Sequence, residues 1–187
     1  LSRSHSNMSV SAVVVSHAHA DVLDRSLPLL AAQVDEVVVV ANLPGSTNEL
    51  PAGTKVIENL RPQCLSANVN AGTAATSGTY VLFANPDVVV EPGCVATLAS
   101  FMDAHPLCGI ARPELLWPDG SWQPSRRRFP TVSGTIVRRT PLRRLYPPYE
   151  RQRAHYQLDD RPASPAEADW LLGAFLLQRR TMLDEIG

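Results

Sequence analysis

Hydrophobic and polar positions fall into two regimes along this chain. In the first hundred residues, short β-branched runs alternate with stretches of helical spacing. SAVVVS (11–16) is a continuous apolar run between serines, as expected of a strand buried on both faces. Over residues 20–33 the apolar positions Val22, Leu23, Leu27, Leu30 and Val34 recur at helical spacing. Pro28 predicts that the regular helix begins late, because proline suits a first turn better than an interior. EVVVVA (36–41) and TKVIEN (54–59) read as the second and third strands. CLSANVNAGTAATSG (64–78) reads as an alanine-rich helix closed by Gly78 as its C-terminal cap. TYVLFAN (79–85) is a fourth strand, and PGCVATLASFMDA (92–104) a helix with Pro92 in its first turn.

This strand-helix-strand-strand-helix-strand-helix order predicts an α/β fold with a largely parallel sheet and helices on its faces. Sites in such sheets lie at the carboxyl ends of the strands. Three polar clusters fall there: Ser16–His17, Ala41–Asn42 and Asn85-Pro86-Asp87.

The second half changes character. ELLWPDGSWQ (114–123) is two short apolar runs around Pro-Asp-Gly, which signals a hairpin or turn. Residues 124–165 are rich in proline and arginine and predict an irregular or short-helical excursion. ADWLLGAFLLQRR (168–180) returns to a strand pattern.

Bulk composition narrows the class. With 187 residues, 44% hydrophobic and 19% charged, the chain is long enough for one globular domain with a real core. A net charge of −1 provides no global field for nucleic acid. The arginines are nonetheless clustered: nine lie between Arg126 and Arg153, a window with one acid, Glu150. They are not interleaved with a nucleic-acid-reading motif, so nucleic acid is not an expected partner. Cys64, Cys94 and Cys108 are an odd, widely spaced set, which fits free thiols in a reducing cytoplasm. No apolar run approaches the ~20 residues of a membrane helix. The chain opens on Leu1, with Met8 an alternative start, and residues 1–9 read as a disordered leader. It closes on LDEIG, within an element that reads as unfinished.

The stretch VVVSHAHADVLDR (13–25) poses a zinc question. His17, His19 and Asp21 alternate after an apolar run, so on an extended backbone they would share one face. The pattern is similar to the HxHxDH signature of metallo-β-lactamase-like hydrolases. That reading fails on ligand count: the next expected histidine is Val22, and only His105 and His155 follow.

YVLFANPDVVVEPG (80–93) is more informative. A strand ending in a carboxylate, with a polar side chain two residues earlier, presents both at the open edge of the sheet. One hard carboxylate there suits Mg²⁺ or Mn²⁺ shared with substrate phosphate oxygens, although a plain Asn-Pro-Asp turn reads equally well.

At these residues the chain resembles the family 2 glycosyltransferases of GT-A fold. The match runs through SAVVVSHAHADVLDRSLPLL, VDEVVVVANLPGST, ANVNAGTAATSGTYVLFANPDVVVEPG, RPELLWPDGSWQPSRRRFPT and ADWLLGAFLLQRR. The subgroup it looks most like is the rhamnosyltransferase-like bacterial enzymes of cell-wall and surface polysaccharide synthesis, in which NPD replaces the usual DxD. The resemblance implies one GT-A domain over 10–187, with a nucleotide-sugar half (10–112) and an incomplete acceptor-side half (113–187). It implies that Asp87 binds the divalent metal and the donor diphosphate, with Asn85 beside it. Ser16 and His17 would line the nucleotide pocket, Asn42 would face the nucleoside, and Asn70 would lie near the ribose or diphosphate. Trp170, Gly173 and Ala174 match the WxxGA segment of the acceptor side.

The implied reaction is inverting transfer from a nucleotide-diphosphate sugar, dTDP-rhamnose-like or a UDP-sugar, to a polysaccharide or lipid-linked acceptor. Two departures matter. Ala41 stands where the family has an aspartate, which removes an acceptor for the base or ribose. The family's catalytic base follows the DEIG stretch, so no residue here matches that role, and Asp169 reads better as a cap near a strand start. A non-catalytic nucleotide-sugar-binding remnant is therefore the alternative. The basic cluster Arg138, Arg139, Arg143 and Arg144, with Ile136, Val137, Leu142, Leu145, Tyr146 and Tyr149 interspersed, suits lipid-linked phosphate or the inner face of a cell membrane.

Overall fold

A computed structural model describes residues 8–130, 132–141, 144 and 161–186 of the chain. These divide into two compact units, residues 1–113 with 173–187 and residues 114–172.

The first unit is built on a six-stranded sheet of order β3-β2-β1-β4-β10-β5. β1 (Val10–Ser16) is buried at all seven positions because it is flanked on both sides, by β2 (Glu36–Ala41) and β4 (Tyr80–Ala84). β3 (Lys55–Glu58) continues the parallel set at the edge and is mostly exposed. β5 (Ile110–Ala111) lies at the opposite edge. β10 (Phe175–Arg179) inserts between β4 and β5, antiparallel to both. Valine-rich runs in β1 and β2 thus follow from burial on both sheet faces.

Helices α1 (Ala20–Ala31) and α3 (Cys94–Ala104) bury Leu23, Leu27, Leu30 and Val95, Leu98, Met102 into the larger core. Val10, Val14, Leu82, Phe175 and Leu177 face them from the sheet. On the other face Val13, Val15, Val40, Val81 and Phe83 form a smaller core partly covered by Val69 of α2 (Leu65–Ala74). A short helix, α5 (Arg180–Ile186), follows β10 directly.

Three local expectations are corrected. α1 is regular from Ala20 and carries Pro28 in its interior, on the exposed side, while Leu23 and Leu27 hold the helix to the core. Packing of that apolar face outweighs the lost backbone bond. α2 stops at Ala74, with Ala75 at its C-cap, so Gly78 is not a cap. Gly78 is required by proximity: a Cβ there would lie 2.8 Å from the Ser9 carbonyl oxygen and 2.6 Å from Ser11 Oγ. Pro92 precedes α3, whose N-cap is Gly93 in the left-handed region at φ 80°.

A buried-edge carboxylate ties the sheet together. Glu36 accepts from Ser11 Oγ at 2.6 Å, from the Ser77 backbone N–H at 2.8 Å and from Lys55 Nζ at 2.5 Å. Burial alone would raise its pKa. The Lys55 and Ser11 side-chain bonds and the Ser77 backbone bond outweigh that and hold it at about 2, below the ordinary 4.5. A carboxylate depressed on folding stabilises the native state above its unfolded pKa and loses that contribution as pH falls toward the folded value. Because Lys55 is 56% exposed, solvent screening limits the effect. Glu36→Gln is expected to cost about 1–2 kcal/mol at pH 7 in denaturant unfolding. The gap should narrow between pH 4.5 and 2; an equal gap at pH 3 and pH 7 would rule out the carboxylate as its source.

The second unit contains two antiparallel pairs and α4 (Val132–Arg139). β6 (Leu115–Leu116) and β7 (Trp122–Gln123) form the expected hairpin. Its turn closes through Gly120 N–H to the Trp117 carbonyl at 2.8 Å, with Gly120 at φ 80°. β8 (Arg126–Arg127) pairs with β9 (Trp170–Leu171). The expected single strand over 168–180 is therefore two strands: β9 belongs to this unit and β10 to the first. Arg161 grips Glu114 through both Nε and Nη2, at 2.6 and 2.7 Å.

A candidate nucleotide cleft at the strand ends

The first unit carries a cleft of about 540 Å³ where the carboxyl ends of β1, β2 and β4 meet. This is the topological switch point, since the chain runs outward from β1 to β2 and β3 on one side and to β4 on the other. Val15 and His17 enter from the end of β1, and His19 and Val22 from the start of α1. Asn42 enters after β2, Leu65 and Asn68 from α2, and Asn85, Pro86 and Asp87 after β4.

The loop after β1 is pinned from both ends. Ser16 is fully buried; its hydroxyl donates to the Ser46 carbonyl at 2.7 Å and accepts from the His19 N–H at 3.3 Å. Ser46 Oγ accepts from the Ala18 N–H at 3.1 Å. These bonds hold Ala18 at φ 61°, a conformation costing a non-glycine residue about 1–2 kcal/mol. Ser16 thus builds the loop and does not itself line the cleft, whereas His17 does.

Behind the cleft lies an amide network. Asn42 Oδ1 accepts from the Gln63 N–H at 2.7 Å and from Asn59 Nδ2 at 3.0 Å. Its Nδ2 donates to the Gln63 carbonyl at 3.1 Å and meets His17 Nδ1 at 3.0 Å. Asn59 also donates to Asn68 Oδ1 at 2.7 Å, and Asn68 donates to the Gln63 carbonyl at 3.3 Å. Asn42 and Asn68 are 6% and 1% exposed, so satisfying both amides is obligatory.

Asn70, the position matched to the donor ribose or diphosphate, is exposed and does not line this cleft. Two residues along a helix amount to a rotation of about 200°, which turns Asn70 away from the face holding Asn68. Gly72 shares the face of Asn68 by helical spacing, and a Cβ at Gly72 would meet Val13 Cγ1, so that face is the one pressed on the sheet. Asn59 and Gln63 were also missed; Asn59 directly follows β3 as Asn42 directly follows β2, which is the discernible hint.

The turn after β4 presents the carboxylate. Asn85 C=O accepts from the Val88 N–H at 3.2 Å, and the Pro86 carbonyl accepts from Ser26 Oγ at 2.5 Å. Asp87 is exposed at the cleft. Because β10 runs antiparallel to β4, its first residues arrive beside this turn, and Asn85 N–H donates to the Ala174 carbonyl at 2.8 Å. Beside Ala174, Gly173 is exposed, with open space around its would-be Cβ.

Zinc chemistry finds no seat at the HxHxD stretch. β1 ends at Ser16, so His17, His19 and Asp21 do not alternate on one strand; Asp21 lies in the first turn of α1. Among the described residues, no group of three or more His, Cys, Asp or Glu could hold a metal ion. A cation at Asp87 would therefore draw ligands from a bound molecule. An oxygen ligand that leaves room for phosphate oxygens fits Mg²⁺ or Mn²⁺.

In the second unit, Asp169 Oδ2 accepts from the Phe129 N–H at 2.7 Å, a local structural role. Trp170 Nε1 donates to the Arg128 carbonyl at 3.2 Å. Arg139 and Arg144 are exposed. The side chains of Arg138 and Val137, all of Arg143, and Leu142, Leu145, Tyr146 and Tyr149 lie outside the described residues, as do His155 and residues 1–7 of the expected leader.

Comparison with known proteins agrees with this architecture. The chain is 27% identical over 202 residues to an N-acetylglucosaminyl-diphospho-decaprenol L-rhamnosyltransferase of Mycobacterium tuberculosis, found in two strains. The match covers 94% of this chain and 62% of that relative, so the chain spans less than two thirds of the relative's length. Among solved structures, the mannosyltransferase PcManGT from Pyrobaculum calidifontis, in complex with GDP-Man and Mn²⁺, superposes with a TM-score of 0.57 at 15% identity. It covers 95% of this chain and 46% of that one. TarS 1–349 of S. aureus gives a TM-score of 0.51 at 19% identity over 67% of this chain and 42% of that one. These likenesses carry the GT-A fold. The model of the family "Glycosyl transferase family 2" matches residues 11–166, well over half of the chain, and the chain belongs to that family.

Proposed function

We propose that the cleft binds a nucleotide-diphosphate sugar together with Mg²⁺ or Mn²⁺, and that the protein serves inverting glycosyl transfer. The observation that carries this is the convergence of His17, Asn42, Asn68, Asn85 and Asp87 on one cleft at the switch point. In this reading Asp87 holds the cation, and Asn85, fixed to Ala174, sets the turn that aims it. The cation supplies neutralisation of charge on the departing diphosphate. The network of Asn42, Asn59 and Asn68 holds the nucleotide side rigid, so that positioning carries much of the rate. The donor is read as dTDP-rhamnose-like and the acceptor as a lipid-diphosphate-linked sugar, in line with the mycobacterial relative's name.

The test is calorimetric titration with UDP, GDP and dTDP, with Mn²⁺ and again with EDTA. Metal-dependent binding of at least one supports the reading; no binding of any sinks it. The alternative, a nucleotide-sugar binder without turnover, has one observation behind it: Asp87 is the one carboxylate among the described cleft residues. A carboxylate committed to a cation cannot also deprotonate the acceptor. Residues 1–187 alone should therefore bind donor but transfer sugar slowly, since general-base catalysis contributes about 10²–10⁴-fold.

The basic cluster around α4 is read as a contact for anionic lipid phosphate. Co-sedimentation with vesicles containing phosphatidylglycerol should occur at low salt and weaken in Arg139→Gln/Arg144→Gln. Vesicle binding indifferent to salt and to these changes would remove this contact.

A further inference from the structure

The apolar face of α1 carries one polar interruption. Ser26 is buried among Leu23, Leu27 and Leu30, with 4% of its surface exposed. A hydroxyl on such a face requires a partner. Inside a helix it commonly bonds back to the carbonyl four residues earlier. Here the Val22 carbonyl stands at 3.2 Å, but the Pro86 carbonyl is nearer, at 2.5 Å. A hydroxyl has one hydrogen to give, so Ser26 donates across to the turn after β4, 60 residues further along the chain.

The receiving carbonyl has a particular place in that turn. Pro86 has no N–H, so its carbonyl is its one polar backbone group, and its ring already fixes φ. The carbonyl shares a planar peptide unit with the nitrogen and Cα of Asp87. Whatever holds this oxygen therefore holds the atom from which the Asp87 side chain departs. Backbone groups anchor Asn85, through the Ala174 carbonyl and the Val88 N–H. Among the described residues, Ser26 supplies the one side-chain hydrogen bond to the turn.

We infer that Ser26 is a positioning residue for Asp87, its hydroxyl setting the direction in which the carboxylate meets a divalent cation. The inference rests on the reading of Asp87 as the seat of the cation and adds what fixes that seat from behind. The donor is itself immobile, because Leu23 and Leu27 lock α1 into the core. Accuracy matters more here than in a closed metal cage. No group of three or more His, Cys, Asp or Glu among the described residues could hold a metal ion, so no protein ligand set corrects a misplaced Asp87. Ser26 does not itself line the cleft, so it reaches the cation only through that turn.

Ser26→Ala should lower the Mn²⁺-dependent gain in affinity for the tightest binder among UDP, dTDP and GDP by about tenfold or more, the loss typical when the partner behind a metal ligand is removed. Affinity in EDTA should match that of the unaltered chain. The decisive comparison is made in Asp87→Ala. There Ser26→Ala should change no affinity, since a positioning group has no effect once the group that it positions is gone. A serine that only supports the fold would lower affinity equally in Mn²⁺ and EDTA, or by the same factor in both backgrounds. Either result overturns the inference, as does a Ser26→Ala chain that keeps the full Mn²⁺ gain. Ser26→Cys is close in size and a weak donor, so it should reproduce the loss in smaller measure and replaces the alanine variant if that chain does not fold. Wild-type affinity that is equal in Mn²⁺ and EDTA would overturn something else, the reading of Asp87 as the seat of the cation.

Discussion

Asp87→Ala is expected to abolish the effect of EDTA on nucleoside-diphosphate affinity and to lower sugar transfer by about 10²–10³-fold. The turn that presents Asp87 is held by backbone and hydroxyl contacts that do not involve its carboxylate: Val88 N–H on the Asn85 carbonyl, Ser26 Oγ on the Pro86 carbonyl, and Asn85 N–H on the Ala174 carbonyl. The side chain is exposed, so its removal leaves no cavity and should not change the unfolding midpoint. What it removes is the one carboxylate of the described cleft. A divalent cation contributes several kcal/mol of stabilisation to charge developing on a leaving diphosphate, and each 1.36 kcal/mol is about tenfold in rate. Calorimetry in paired Mn²⁺ and EDTA buffers reads the first effect and a radiolabelled-donor assay reads the second. If the variant still binds more tightly with Mn²⁺, the cation is held elsewhere.

Leu177→Ala is expected to cost about 3–4 kcal/mol of folding stability, the largest single-residue loss considered. Leu177 is fully buried at the centre of β10, opposite Leu82 of β4 on one side and Ala111 of β5 on the other. It belongs to the same core as Leu23, Leu27 and Met102, so a cavity there opens beneath both α1 and α3. Residue 176, next in line, is half-buried, and Leu176→Ala should cost visibly less. Urea unfolding of both variants makes the comparison. Near-equal small losses would mean that β10 is not integral to the sheet, and the register that brings Ala174 to Asn85 would lose its support.

Most of the first unit was legible from residue order alone. β1, β2 and β4 are nearly pure β-branched or apolar runs, and a run of that kind bounded by turn residues has few other stable fates. Because β1, β2 and β3 run parallel and the switch point falls between β1 and β4, the polar residues just past β1, β2 and β4 had to gather at one edge. His17, Asn42, Asn85 and Asp87 were found for that reason. Burial also explains where local rules failed. Pro28 and Gly78 were read as a helix start and a cap, yet the first is tolerated because Leu23 and Leu27 pack, and the second is required by the closeness of β1.

Only tertiary structure decided the rest. Whether Asn68 or Asn70 faces the cleft depends on which side of α2 meets the sheet, a choice made by the contact of Gly72 with Val13 across 59 residues of sequence separation. The division of 168–180 between β9 and β10 depends on two different partners, β8 and β4, neither adjacent in sequence. The HxHxD stretch makes the point most sharply. Its residue types are those of a metal site, and the amino-acid order cannot say where the strand gives way to the helix. β1 ends at Ser16 and α1 starts at Ala20, so His17, His19 and Asp21 do not share one face, because an i, i+2, i+4 pattern converges only on an extended backbone.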